Sequence, residues 1–270
     1  MSAEKFFNHI ELLRCPACGT AFSRCGSSLR CEKGHTFDPS RKGWINFAPN
    51  TAPSRYGSVL FEARRRILEG GFYDAVLCAI RNAMPEHAET VLDAGCGDGT
   101  FTKALQGNTT IGLDLSKDAI RLAAYGGGPI LWMVGDLTRL PLKNTSVDVI
   151  LNLFSPAHYA EFARVLKPDG KLLKLVPQEG YLREIRALMA DRLHREAYSN
   201  DAVVSHLSEQ FHIADRIRIS GCYPLTEEQA RDFLFMTPLT FGTDPGALDA
   251  SLLKQITIDV ELLIADRSGA

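Results

Sequence analysis

An apolar run that ends in an acid and breaks at once into three closely spaced glycines constrains this chain more than any other feature: Thr90-Val91-Leu92-Asp93-Ala94-Gly95-Cys96-Gly97-Asp98-Gly99. The pattern is that of a strand entering a tight loop. Glycine is required where the backbone takes unusual dihedral angles or comes against a ligand, and Thr100 to Gln106 continues as a helix whose N-terminus faces the same spot. A ligand is expected there. The dinucleotide fingerprint spaces its glycines G-x-G-x-x-G; here they fall at 95, 97 and 99, and Thr100 takes the place of the third, which argues against NAD. Nineteen residues beyond Gly95, the run Thr110-Ile111-Gly112-Leu113-Asp114 ends a second apolar stretch in an acid able to take two ribose hydroxyls. The expected ligand is a nucleoside without a pyrophosphate. A glycine turn that serves only the fold is the bland alternative, and Asp114 weighs against it.

That combination resembles the S-adenosylmethionine site of class I methyltransferases. Ser116 can N-cap a helix through Tyr125, which Gly126-Gly127-Gly128-Pro129 breaks. Ile130 to Val134 is a continuously apolar strand ending in Gly135-Asp136, a third acid at a strand's carboxyl end, where an adenine amino group could be held. Val147 to Phe154 reads as a fourth strand, Ala157 to Leu166 as a helix, and Lys167-Pro168-Asp169-Gly170 as the turn that delivers Lys171 to Val176 as the fifth. Strands apolar on both faces that alternate with helices require a parallel sheet covered on both sides, with its ligand site at the carboxyl ends. Tyr181 to Ala197 and Asp201 to Phe211 then read as helices and Arg216 to Ile219 as a strand. Thr226-x-x-Gln229 is a capping box opening a helix to Met236, and Ile256 to Leu262 alternates as a closing antiparallel strand. The expected fold is α/β, a Rossmann-like, mostly parallel seven-stranded sheet of the class I methyltransferase type with a small N-terminal zinc-ribbon module.

The zinc expectation rests on Cys15-x2-Cys18 and, twelve residues on, Cys31-x3-His35. Two knuckles supply three thiolates and one imidazole, which suits tetrahedral zinc with all four positions filled and hence a structural site. Cys25 is the candidate free thiol. Some forty residues build too small a core alone, so the metal must supply much of the folding energy. Phe47 is expected to cover the knuckles; Trp44, beside Arg41-Lys42, could do the same or stack on a base.

From Ser58 a helix can run to Glu69, burying Val59, Ala63 and Ile67, with Arg64, Arg65 and Arg66 spread over too wide an arc to be buried together. A second helix runs from Phe72 to Met84. Pro49 to Gly57 reads as a linker, which divides the chain into residues 1–50 (zinc-binding module), 51–89 (linker and leading helices) and 90–270 (methyltransferase domain). The overall charge is −2, but residues 1–70 carry eleven Lys/Arg against six Asp/Glu, a local +5 on an otherwise acidic chain. That front end suits phosphates. No 18-residue apolar run occurs and Met1 to Leu13 lacks the apolar core of a signal peptide, so a cytoplasmic protein with no membrane partner is expected.

The whole chain is similar to the bacterial 23S rRNA guanine-N1 methyltransferase family, which joins a zinc ribbon to a class I body. The resemblance lies in the Cys15/Cys18/Cys31/His35 set with Phe37-Asp38 and Gly43, Glu62-Ala63-Arg64-Arg65 followed by Gly71 and Tyr73, and Leu92 to Gly97. It continues in Gly112 to Lys117, Arg139-Leu140-Pro141, Ala163 to Pro168 and Met236-Thr237-Pro238. It implies S-adenosylmethionine and structural zinc as cofactors and 23S rRNA as partner, with homodimerisation open. The implied cofactor residues are Tyr73, Asp93, Gly95, Gly97, Asp98, Asp114, Leu115, Asp136, Leu137 and Tyr181. Three positions depart from the family's pattern: Tyr181 stands for a histidine, Phe241 for a tryptophan, and Arg55-Tyr56-Gly57-Ser58 for a Gly-Asp-Ser segment. Methyl transfer is an in-line displacement that needs mainly proximity and orientation, yet guanine N1 carries a proton that some group must accept. Asp98, Asn152 and Tyr181 line the inferred pocket, and no catalytic residue is assigned. The rival readings are a methyltransferase of a small molecule or other non-rRNA substrate, and a non-catalytic RNA-binding protein that retains the fold.

Overall fold

The computed structural model describes residues 3–49, 58–189, 200–240 and 243–267. The chain opens with a short helix α1 (Glu4–Asn8) and a three-stranded antiparallel sheet, β1 (Phe22–Cys25), β2 (Ser28–Cys31) and β3 (Thr36–Phe37), paired in that order. A fourth strand, β4 (Trp44–Asn46), leaves this sheet and pairs in parallel with the main one. After it come helices α2 (Ser58–Glu69) and α3 (Asp74–Ala83), strand β5 (Thr90–Ala94), helix α4 (Thr100–Ala104), strand β6 (Thr109–Asp114), helix α5 (Lys117–Ala123) and strand β7 (Leu131–Val134). The rest is β8 (Val147–Leu153), α6 (Tyr159–Val165), β9 (Leu166–Pro177), α7 (Arg183–Leu188), α8 (Asp201–Ser208), β10 (Phe211–Pro224), α9 (Glu227–Met236) and β11 (Gln255–Arg267). Residues 50–57 of the expected Pro49 to Gly57 linker and residues 190–197 of the expected Tyr181 to Ala197 helix lie outside the described residues.

The main sheet has the order β10-β11-β9-β8-β5-β6-β7-β4. Strands β4 to β9 within it are parallel, and β11 joins β9 and β10 antiparallel. Because β6 and β7 lie on one side of β5 and β8 and β9 on the other, the strand order reverses between β5 and β8, and a crevice opens at their carboxyl ends. All five residues of β5 are buried, as a sheet covered on both faces demands.

The alternation of aromatic and polar residues from Arg41 to Phe47 reads as a short strand, but its place as the eighth strand of the main sheet was not foreseen, and it ties the front end to the body. Trp44 sits opposite Trp132, and Leu13 bridges to Leu142. The Arg14 N–H donates to Pro141 O at 3.1 Å and the Lys143 N–H to Leu12 O at 2.9 Å. Phe6, Leu13, Phe22 and Phe47 lie in one apolar cluster with Ile111, Leu131, Leu142 and Phe162. The small module therefore buries its apolar side chains against the large sheet as well as against itself.

Local signals hold where capping chemistry is strong. Ser116 accepts from the Ala119 N–H at the start of α5, and Thr226 with Gln229 forms the complete capping box of α9. Three details differ from expectation. Val59 is 55% exposed, because Leu60 and Phe61 take the inward face of α2. Residues 167–170 continue strand β9 across a register shift in its pairing with β8 and make no separate turn. Phe211 is buried as the first residue of β10, since α8 stops at Ser208.

Candidate functional site: a nucleoside crevice and a four-ligand metal cluster

Cys15, Cys18, Cys31 and His35 come together with all four ligand atoms within 4.8 Å of one another. The Cys18 and Cys31 sulfurs are 3.6 Å apart, and His35 Nδ1 lies 3.6 Å from Cys15 Sγ and 3.3 Å from Cys31 Sγ. Bonds of about 2.3 Å to sulfur and 2.0–2.1 Å to nitrogen in a tetrahedron require edges of this length, so the donor set fits zinc bound through Nδ1. The cluster sits beside Phe22, Phe37 and Phe47, whose ring centroids are 5.1 to 5.9 Å apart. Cys25 is exposed and outside the cluster. Trp44 is half-buried under Lys117, whose Nζ is 5.7 Å from the ring, and it packs with the cluster around Trp132, so the structure gives it a packing role.

A cavity of about 860 Å³ opens at the carboxyl ends of β5 and β8, and all ten residues expected at the cofactor line it: Tyr73, Asp93, Gly95, Gly97, Asp98, Asp114, Leu115, Asp136, Leu137 and Tyr181. Two glycines show why the loop has its sequence. Gly95 has φ +86°, and a Cβ there would stand 1.8 Å from Ser155 Oγ. The glycine loop and the Ser155 turn thus meet without a side chain between them. Gly99, at φ +74°, would put a Cβ 2.3 Å from the Trp132 ring, which fills the floor beneath the loop.

The carboxylates at the strand ends are wired into this loop. Asp114 accepts from the Gly97 N–H at 2.9 Å through one oxygen and from the Ser116 N–H at 2.8 Å through the other. Burial pushes its pKa up, and those two N–H groups and Arg64 pull it back. Asp98 accepts from the Thr100 hydroxyl at 2.7 Å, and Asp136 from the Thr138 N–H at 2.8 Å. Asp93 accepts from the Thr102 hydroxyl at 2.6 Å. Burial first, then the nearby Asp114 and Asp98 charges, raise its pKa to about 7. An unfolded aspartate titrates near 3.9, so between about pH 4 and pH 7 the folded protein binds the extra proton. The stability Asp93 contributes therefore falls as pH rises through that window, by up to about 1.4 kcal/mol per unit. Asp93→Asn keeps an acceptor for Thr102 and removes the titration. Urea unfolding of the cofactor-free protein at pH 5 and pH 8 should show a smaller difference in the variant; an equal difference would contradict the assignment.

The far wall is aromatic. Tyr73 and Tyr181 share a 2.6 Å hydrogen bond between hydroxyls, and burial pushes the Tyr73 hydroxyl pKa well up, Tyr181 adding to the shift. Phe154 stacks on Tyr181 with centroids 5.4 Å apart. Phe154 and Leu182 hold left-handed backbone at φ +54° and +52°, strain that tends to cluster around binding sites. Asn152 is fully buried, and its amide group donates to Ala94 O and Pro156 O, both at 2.9 Å, so it holds the strand ends together and has no N–H left for a base edge.

Sequence reasoning did not place Arg64, Phe101, Phe154, Ser155 or Lys174 at the crevice, yet all line it. Arg64 reaches over the loop, its Nη1 3.5 Å from where a Gly97 Cβ would be, whereas Arg66 pairs with Asp232 at 2.6 Å. Lys174 carried a visible signal, a lone charge inside Leu172 to Val176. Phe241 and Arg55 to Gly57 lie outside the described residues.

Residues 92–174 match the family described as "Methyltransferase domain", and residues 13–52 match "RlmA, N-terminal". YxjB of Bacillus subtilis (strain 168), which carries the provisional name 23S rRNA (guanine-N(1)-)-methyltransferase, is 38% identical across 94% of this chain and 96% of its own. The chain belongs to the 23S rRNA (guanine-N1)-methyltransferase family. The 23S rRNA (guanine(748)-N(1))-methyltransferase of Streptomyces fradiae is 29% identical over 95% of this methyltransferase and 97% of its own length. The fold is shared more widely. A chain in the complex of the Haloferax volcanii Trm112 methyltransferase activator with a provisionally assigned methyltransferase superposes with a TM-score of 0.51, 20% identity, and coverage of 79% of this methyltransferase and 99% of that chain. S-adenosylmethionine and structural zinc are the groups that the crevice and the Cys/His cluster of this methyltransferase fit.

Proposed function

We propose that this methyltransferase transfers the methyl group of S-adenosylmethionine to N1 of a guanine in a hairpin loop of 23S rRNA. The observation that carries the reading is that family similarity spans both the zinc-binding front end and the nucleoside crevice, which the fold joins through β4 and a common core. When bound, S-adenosylmethionine supplies an electrophilic methyl group on a sulfonium. The chain's own residues then orient and enclose it. Asp114, fixed by two backbone N–H groups, keeps lone pairs on both oxygens for the ribose hydroxyls. Asp136, Leu137 and Leu115, the last 49% exposed, line the crevice and would hold the adenine. Gly95, Gly97, Asp98, Tyr73, Asp93 and Tyr181 line the same crevice and would hold the rest of the cofactor.

A guanine in folded RNA reaches such a crevice only from a loop or after extrusion, and the exposed Arg30, Lys33, Arg41 and Lys42 of the front end give phosphates a landing surface. Among the described residues no helix is long and apolar enough to cross a membrane. Purified protein given methyl-labelled S-adenosylmethionine and 23S rRNA should place label on guanine N1, read by mass after nuclease digestion, with RNA affinity falling as salt rises. Tight cofactor binding with label only in small molecules would favour a non-rRNA acceptor. RNA binding without cofactor affinity would make the chain a non-catalytic binder.

A further inference from the structure

Lys174 lies in β9 inside an otherwise apolar run and is 4% exposed, yet its side chain lines the crevice. Among the described residues no carboxylate pairs with it. Its Nζ donates to Asn152 Oδ1 at 2.6 Å and to Ser155 O at 3.3 Å. The Asn152 oxygen is forced to face it, because both amide hydrogens are taken by Ala94 O and Pro156 O. A neutral amine has two N–H bonds and one lone pair. With both N–H bonds directed at these acceptors, the lone pair is left for the crevice, next to the turn where Ser155 meets the glycine loop.

The remaining groups at this corner do not duplicate that arrangement. On α6, the Tyr159 ring centroid is 6.0 Å from Nζ, and His158 Nδ1 accepts from the Glu161 N–H at 3.3 Å. On α8, His206 packs on Tyr159 with centroids 4.9 Å apart, and Asp201 opens the helix. On β11, apolar Leu263 sits opposite Lys174. Asp93, Asp98 and Tyr181 border the same crevice from the glycine loop and the segment after β9. An ammonium buried without a counter-ion is disfavoured, and burial lowers the Lys174 pKa to about 8. That value suits a group that must accept a proton near neutral pH.

We propose that Lys174 is the proton acceptor for guanine N1, an inference that rests on the RNA methyltransferase reading above. The N1–H proton passes to the Nζ lone pair and its bonding electrons stay on N1. That pair forms the bond to the methyl carbon while the carbon–sulfur bond breaks, its electrons leaving on a sulfur that becomes a neutral thioether. The resulting ammonium returns its proton to water.

The test is the single-turnover rate on 23S rRNA for Lys174→Met, Lys174→Arg and Lys174→Ala between about pH 6 and pH 9, with cofactor affinity measured alongside by calorimetry. At cofactor concentrations that saturate each variant, as set by the calorimetric affinity, all three should lose about 10²- to 10⁴-fold in rate. The wild-type rise in rate through about pH 8 should vanish in them, and small primary amines should restore part of the Lys174→Ala rate. Retention of rate by Lys174→Arg would show that a cation suffices and overturn the proposal. Loss of rate with no amine rescue and an unchanged pH profile would reduce Lys174 to a support for the Asn152 turn and overturn it too. Wild-type protein that labels no guanine at all would instead remove the parent reading, and the proposal with it.

Discussion

Removing zinc, by a strong chelator or by Cys31→Ser, should unfold the front end of this methyltransferase and lower the thermal midpoint of the whole chain. Three thiolates and one imidazole within 4.8 Å of one another fit a single zinc ion, which would cross-link the two knuckles of that segment. Structural zinc contributes an apparent 10–16 kcal/mol or so in small zinc-dependent modules, comparable to the whole stability of a typical domain. The loss would not stay local. Phe6, Leu13, Phe22 and Phe47 pack in the same core as Ile111, Leu131 and Leu142, and β4 covers the edge of β7, which carries the Trp132 beneath the cofactor loop. Metal analysis should find one zinc per chain, and chelation should weaken cofactor binding along with stability. Cys25→Ser, exposed and outside the cluster, serves as the control and should change neither. A thermal midpoint unmoved after complete zinc removal would contradict this account.

Gly95→Ala should abolish useful cofactor affinity. The added methyl would stand 1.8 Å from Ser155 Oγ at a backbone angle of φ +86°. Left-handed backbone costs an ordinary residue about 1–2 kcal/mol and forced overpacking about 1–3 kcal/mol. Together these amount to roughly 30- to several-thousand-fold if borne by the bound state. Ser155 cannot move away freely, because Asn152 and Lys174 hold both ends of its turn. Gly126→Ala separates the two effects: it also has a positive φ, +88°, but open space around the added carbon. It should lower stability slightly and leave cofactor affinity alone. Calorimetric titration with S-adenosylmethionine checks both, and a Gly95→Ala affinity within about threefold of wild type would contradict the close-approach argument.

The parts of this site that were legible in sequence are those whose chemistry is local. Glycines at 95, 97 and 99 follow an acid-terminated strand, and Asp114 ends the next; both facts depend on residues a few positions apart, and the crevice assembles them as expected. The Cys/His spacing is equally local, as are the Ser116 and Thr226 caps. What escaped was set by distant partners. The pairing of Trp44 with Trp132 spans most of a hundred residues, and nothing in the alternation of Trp44 to Asn46 says which sheet it joins. The three consecutive arginines of α2 look alike in sequence, but only the position of Asp232 on α9 decides that Arg66 is an ion-pair residue while Arg64 turns to the glycine loop. Lys174 was visible as a charge in an apolar strand. Its meaning required Asn152 and Ser155 to be placed beside it.

Mapping of guanine N1 methylation in 23S rRNA, by mass analysis of nuclease fragments from cells with and without this gene, tests the central claim most directly. The proposed function predicts one N1-methylated guanine that is present with the gene and absent without it, and that returns when the wild-type gene is restored but not when Gly95→Ala is supplied. An identical guanine methylation pattern in both strains would contradict the assignment of 23S rRNA as the acceptor.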